Sequence, residues 1–220
     1  MQKIDQPTLS DLPGLSDGLS FCILGAPASG KTQTLLRLVA ELEANHSPEE
    51  ILVLTASRRQ ASLLRDKLSQ QSKKASSLPR AQSVSAFAFR LLREHGHNPK
   101  LLSGSAQERL LRSIVLEKSS VFRELGFNPK SIQLDSFIQE LRDLLQVVLD
   151  FRMGSGDLEL LQGQHPNLKL SALLAILADY QDALQQGNWL DSSTLLTRAL
   201  DLTSGHKVVL VDDAQELSTA

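Results

Sequence analysis

Residues 25–32 read Gly-Ala-Pro-Ala-Ser-Gly-Lys-Thr, the pattern G-x-x-x-x-G-K-[ST]. An apolar run, Leu19 to Leu24, precedes it, and Thr32 to Val39 follows with the composition of a helix. Strand, loop and helix in that order are the setting in which this pattern cradles phosphate. The glycines let the backbone curl until successive N–H groups converge on phosphate oxygens. Lys31 can reach the β- and γ-phosphates, and the Thr32 hydroxyl can ligate Mg²⁺. The expected nucleotide contacts are Gly25, Ala26, Pro27, Ala28, Ser29, Gly30, Lys31, Thr32 and Gln33. An ordinary glycine-rich turn is the alternative, and the flanking strand and helix weigh against it.

A second element sits near the other end of the chain. Residues 208–213 read Val-Val-Leu-Val-Asp-Asp, an unbroken apolar strand that delivers two carboxylates at its C-terminal edge. That edge is where ligands bind in an open parallel sheet. In a phosphate-loop enzyme Asp212 would hold Mg²⁺, and Asp213 would orient or deprotonate the attacking water. Taken alone the pair reads as an acidic turn after a buried strand; the loop at residue 25 turns the reading toward chemistry.

The bulk numbers exclude several classes. With 220 residues, 41% hydrophobic and 22% charged, the chain is globular rather than disordered. No apolar run approaches the roughly 20 residues of a membrane span, and the first residues lack the apolar core of a signal peptide. The single cysteine, Cys22, has no disulfide partner within the chain and is expected to be a small buried hydrophobe. These features point to a cytoplasmic protein without a membrane partner. Net charge is only −2, but it is uneven. From Arg58 to Lys100 ten Lys and Arg face only Asp66 and Glu94, so this stretch carries +8. Either a polyanion binds near it or it is a solvated helix face with a basic loop.

Along the chain, residues 1–18 read as an irregular lead-in. A strand is expected at about 19–24, a helix at 31–44, a strand at 51–54, and a helix capped by Ser57 and running to about 70. An extended piece, 81–85, should lead into a helix from Ala86 to His95. From 100 to 200 strand patterns vanish and Leu-rich helical stretches follow one another. Ser105-Ala106-Gln107-Glu108 has the form of a capping box. Residues 137, 138, 141, 144, 145, 148 and 149 form one apolar helical face. Asp191 should cap a last helix before the strand at 207–211.

These segments carry a resemblance. The chain is similar over nearly its whole length to the first motor domain of UvrD/Rep-type superfamily 1 DNA helicases. The phosphate loop with Gln33-Thr34-Leu35 resembles the family's first motif. Leu52 to Ala61, reading Leu-Val-Leu-Thr-Ala-Ser-Arg-Arg-Gln-Ala, resembles the next one. Ser83 to Arg93 resembles its Thr-Phe-His-Ser-Phe-Ala stretch. Trp189 to Leu196 resembles the helix before the magnesium motif, and Asp212-Asp213-Ala214-Gln215-Glu216 resembles Asp-Glu-x-Gln-Asp. Asp213 stands where the family has Glu, and Ser85 where it usually has His. No Gln-bearing adenine motif is evident upstream of Gly25.

The resemblance implies a fold class of α/β, a phosphate-loop (RecA-like) parallel sheet with an inserted mainly helical subdomain. Residues 1–95 and 203–220 would form the ATP-binding domain, and 96–202 the insertion. It implies ATP and Mg²⁺ as cofactors, Lys31, Asp212, Asp213 and Gln215 as catalytic residues, and Thr32 and Asp212 as metal ligands. Single-stranded DNA would meet Thr55, Ser57, Arg58, Ser83, Ser85 and Phe87, and a second helicase or nuclease subunit would be a further partner. The family's later motifs are absent from residues 1–220, so the 220 residues are expected to be inactive as a motor, whether as a fragment or as a remnant. Two other readings stand beside this one: a non-catalytic nucleotide or single-strand binding module, and a small-molecule phosphate-loop kinase. The low-arginine block at 100–200 argues against the kinase.

Overall fold

The computed structural model describes residues 20, 22–71, 80–165 and 170–217. Among them the strands are, in chain order, β1 (Ile51–Thr55), β2 (Ala81–Ser83), β3 (Lys100–Leu101), β4 (Trp189–Leu190) and β5 (Val208–Val211). The helices are α1 (Lys31–Leu42), α2 (Arg58–Gln71), α3 (Val84–Glu94), α4 (Gly104–Glu117), α5 (Ser119–Glu124), α6 (Asp135–Asp150), α7 (Ser155–Gln164), α8 (Ser171–Gly187) and α9 (Ser192–Ala199). The fold is mixed α/β with a parallel sheet. It divides into two compact units: the described residues up to Phe87 together with Thr203–Leu217, and Ala88–Leu202.

The first unit is built on a three-stranded parallel sheet of order β2-β1-β5. The run Ile51-Leu52-Val53-Leu54 has apolar side chains on both faces, which suits a central strand covered on both sides. Val53 pairs with Ala81 on one side and Leu210 on the other. Leu35, Leu36, Val39 and Leu42 recur on one face of α1 at helical spacing. They pack with Leu64 and Leu68 of α2 against Ile51, Val53 and Ala81. Val208 and Leu210 close this core, while Val209 and Val211 point the other way and are exposed. A nearly buried ion pair, Arg80 to Glu43 at 2.8 Å, ties the end of α1 to the entry of β2. Lys207 bonds the Glu50 carboxylate at 2.5 Å and donates its amide to the Glu50 carbonyl, which aligns the starts of β5 and β1. The lysine hydrogen bond, followed by that of the Ser47 amide, holds the Glu50 carboxyl down to about 2.

The expected strand at 19–24 is not formed at its described residues 20 and 22–24. Leu24 is 88% exposed and Cys22 is exposed rather than buried. An apolar run says that a segment would gain from burial, but it does not supply the neighbouring edge on which to pair. The lead-in 1–18 and most of the polar loop at 71–79 lie outside the described residues. The extended piece before α3 is shorter than expected, since the helix starts at Val84.

The second unit is mainly helical. Leu111, Ile114 and Val115 of α4 and Ile138, Leu141, Leu145 and Val148 of α6 share a core with Ile176, Leu177, Tyr180 and Leu184 of α8. Phe122, Phe127 and Phe137 meet edge to face at 5.7–5.9 Å. Two corrections belong here. A short parallel ribbon, β3 with β4, interrupts the helices. And α4 is capped by Ser103, whose hydroxyl accepts from the Ala106 amide at 3.4 Å, not by Ser105. Glu108, the acid of the expected box, instead pairs with Arg142. Asp191 does cap α9, accepting from the Thr194 amide at 2.9 Å. Its other oxygen takes the Tyr180 hydroxyl at 2.8 Å, and that hydroxyl accepts from Gln107 at 2.8 Å. All three residues of this relay are buried. Burial, followed by the Asp191 charge, pushes the Tyr180 phenol well above the ordinary tyrosine range.

Candidate functional site

The site lies at the C-terminal edge of the sheet in the first unit. Because β1 and β5 are parallel, the residues that follow each emerge on the same side. The Asp212 amide donates to Leu54 O at 2.9 Å, carrying the ladder one residue past β5. This brings Asp212 to the phosphate-type loop. The Thr32 hydroxyl donates to the two Asp212 carboxylate oxygens at 3.2 and 3.1 Å, joining residues 180 apart in sequence.

Residues 22–29 are exposed. Two positions in the loop take left-handed backbone, Ala28 at φ 61° and Gly30 at φ 89°. Glycine adopts that conformation freely, whereas for alanine it is strained. The Ser29 amide donates to Ala26 O at 3.2 Å, closing the turn. A Cβ on Gly25 would come within 2.4 Å of Ser29 Oγ, so the loop closes tightly there. Gly30 is the N-cap of α1 and offers no side-chain cap, and the first turn of α1 has no acidic residue. Its amides are thus left to an outside acceptor, and the positive end of the helix faces the loop. Lys31 Nζ arches back to donate to Gly25 O and Ala26 O, both at 3.0 Å.

Asp212 is 9% exposed. Its carboxyl is pushed above the ordinary aspartate range, chiefly by burial. The Thr32 hydrogen bond opposes that shift, the neighbouring Asp213 charge adds to it, and Lys31 offsets it only weakly. Asp213 sits in left-handed backbone, φ 49° and ψ 50°, which Asp tolerates better than most side chains. Gln215 donates to Asp213 Oδ1 at 3.1 Å. Two adjacent carboxylates, one of them buried beside a hydroxyl, form a hard-oxygen donor set. Such a set suits a small divalent cation that takes one or two carboxylates and completes its shell with water and phosphate oxygens. No group of three or more His, Cys, Asp or Glu surrounds a common point among the described residues, and a site of this kind does not need one.

The residues expected to meet DNA divide into exposed and buried. Ser57 and Arg58 are exposed at the start of α2. Thr55 is 1% exposed and its hydroxyl donates to Ser57 O at 2.9 Å, so it shapes this turn from beneath. Ser83 is 3% exposed and accepts from the Ala86 amide at 3.3 Å, capping α3. Ser85 and Phe87 are half-buried, with Phe87 edge-on to His206 at 5.7 Å. The basic stretch is not one solvated face. Arg80 pairs with Glu43, Arg90 with Glu94, and Arg65 donates to Ala81 O. Arg58 and Arg59 enter no ion pair among the described residues, and Lys73 and Lys74 lie outside them.

The family model for the UvrD/REP helicase N-terminal domain matches residues 16–220, a span holding both the loop and the Asp212–Asp213 pair. The chain belongs to that family. No curated protein matches it. As a UvrD/REP helicase N-terminal domain it is, in kind, the ATP-binding lobe of a DNA helicase. No helix among the described residues is long and apolar enough to cross a membrane.

Two residues of this UvrD/REP domain, Gln60 and Glu216, form a bridge that no sequence pattern announced. Gln60 accepts from Ser57 N at 3.1 Å and from Ser57 Oγ at 3.0 Å, and Ser57 Oγ accepts in turn from Gln60 N at 3.2 Å. Its Nε2 donates to Glu216 Oε2 at 2.8 Å. The Ser57-x-x-Gln60 spacing of a capping box was the available signal; the bond to Glu216 spans 156 residues and left none.

Proposed function

We propose a phosphate-loop, RecA-like ATP-binding domain over residues 1–95 and 203–220, with the first unit as its core and 96–202 as its inserted helical subdomain. It serves ATP-dependent translocation on single-stranded DNA. The observation that carries this reading is the Thr32–Asp212 hydrogen bond, which joins the two motifs a nucleotide-binding site requires. Gly25 to Gln33 would bind the triphosphate, with the amides of the first turn of α1 as donors. Lys31 would exchange its bonds to Gly25 O and Ala26 O for phosphate oxygens. Thr32 and Asp212 would hold Mg²⁺, which when bound neutralises phosphate charge. Asp213 would position the attacking water and Gln215, already hydrogen-bonded to it, would report on the γ-phosphate. Ser57 and Arg58 would face the DNA strand, with Ser85 and Phe87 in the first turn of α3 and with Thr55 and Ser83 supporting them from below.

A second reading, binding with little turnover, is favoured by Asp213. Its carboxylate is one methylene shorter than glutamate and is already occupied by Gln215, and misplacement of a base by about 1 Å costs on the order of 100-fold in rate. Phosphate release with and without oligonucleotide separates the two readings.

The nucleotide test is titration with a fluorescent ATP analogue and Mg²⁺. Lys31→Ala is expected to weaken binding at least tenfold, about 1.4 kcal/mol. Equal affinity in both proteins would refute a phosphate role for Lys31.

A further inference from the structure

We infer that Gln60 is a positioning residue that couples the nucleotide site to the N-terminus of α2, a role that rests on the function proposed above. The turn Ala214–Glu216 follows directly from Asp212 and Asp213, and the Glu216 amide donates to Asp213 O at 2.9 Å. Glu216 then accepts from Gln60 Nε2 at 2.8 Å. The other end of the same amide accepts from the Ser57 amide and hydroxyl. One side chain therefore bridges the acidic turn and the cap that presents Arg58 and Arg59.

The chemistry of the amide makes this bridge directional. Gln60 has its carbonyl toward two donors and its NH₂ toward a carboxylate. Flipping it would aim NH₂ at the Ser57 N–H and oxygen at Glu216, setting donor against donor and acceptor against acceptor. A capping box alone does not require glutamine. Glutamate fills the same third position, and its charge is the better match for a helix N-terminus. Here glutamate would face the Glu216 carboxylate. The amide nitrogen is the part of Gln60 that capping leaves unexplained and that the bridge to Glu216 uses.

A metal held by Thr32 and Asp212, with a triphosphate beside it, would change the charge at the base of this turn, and Gln60 would transmit the resulting shift to Ser57. The Ser57 N–H is itself bonded to Gln60 Oε1, so its hydrogen exchange reports the state of the bridge.

The test uses the 220-residue chain and three proteins: wild type, Gln60→Glu, and Gln60→Glu with Glu216→Gln. The single change keeps an oxygen for the cap but sets two carboxylates face to face. The double change restores the donor–acceptor pair with its polarity reversed. Amide exchange at residues 57–60 is measured with and without a saturating Mg²⁺ complex of a non-hydrolysable ATP analogue, with binding of the analogue measured in parallel. In wild type, nucleotide is expected to slow exchange at Ser57 by about fivefold or more, the lower end of ordinary coupling between sites. Gln60→Glu should bind the analogue yet show less than about a twofold change, and the double variant should recover the wild-type response. A wild-type response in Gln60→Glu, or no recovery in the double variant, would overturn the coupling role. So would nucleotide binding by wild type with no change at residues 57–60, and that result would leave the nucleotide site standing. Failure of wild type to bind the analogue would instead refute the proposed function, and the coupling with it.

Discussion

Replacing Thr32 by Val removes the hydroxyl that meets Asp212 while keeping the shape of the side chain. The two distances, 3.2 and 3.1 Å, belong to one O–H shared between both carboxylate oxygens, so they count as a single three-centre bond. A hydrogen bond to a charged acceptor contributes about 1.5–3 kcal/mol net, and the shared geometry places this one near the lower end, about 1.5–2 kcal/mol. The loss should be largest at a pH high enough for Asp212 to be charged. It should shrink toward the neutral-bond value of about 0.5–1.5 kcal/mol when the carboxyl is protonated. The assay is urea unfolding followed by circular dichroism, without metal, on wild type, Thr32→Val, Asp212→Ala and the double variant. If the bond exists, Thr32→Val costs far less in the Asp212→Ala background, and the interaction energy of the cycle is about 1 kcal/mol or more. If Thr32→Val costs the same in both backgrounds, within about 0.3–0.5 kcal/mol, the two motifs do not meet and the site is wrongly assembled.

Asp212→Asn should stabilise the domain at neutral pH. Folding raises the Asp212 carboxyl above its ordinary 3.8, chiefly by burial. Stability from such a group is present below the unfolded value and is lost as pH rises through the folded one. The uncharged Asn escapes that loss, so urea midpoints should diverge above 3.8 and converge below it; parallel curves would refute the burial argument. Arg58→Ala with Arg59→Ala should weaken single-stranded DNA binding and flatten its salt dependence by about 0.7 for each phosphate no longer neutralised, whereas an unchanged slope would assign both to plain surface. In the helical unit, Tyr180→Phe removes the hydroxyl that meets Gln107 Nε2 and Asp191 Oδ2, at about 1–3 kcal/mol for each buried atom left unpaired. A destabilisation below about 0.5 kcal/mol by thermal or urea unfolding would show that water or a neighbour replaces the hydroxyl.

Local patterns carried much of this protein on their face. The loop at 25–32 is legible because its glycines and lysine sit at fixed offsets, and helices such as α4, α6 and α8 because apolar residues recur along one face of each. β1 is legible for the same reason, since a run such as Ile51 to Leu54 has few uses outside a covered parallel strand. Sequence alone could name Thr32 and Asp212 as ligands of one ion, but only the parallel pairing of β1 with β5 brings them to 3.1 Å. The tertiary structure likewise decided that Arg65, Arg80 and Arg90 are engaged internally while Arg58 and Arg59 enter no ion pair among the described residues. It set Tyr180 between Gln107 and Asp191, and it joined Gln60 to Glu216. It also left Leu24 exposed where an apolar run promised a strand. The physical reason is the same in each case. Periodicity and capping act over three or four residues, so the chain displays them directly, whereas a strand's neighbour, an ion pair or a buried hydrogen bond depends on which distant groups share its space, and no local spacing records that.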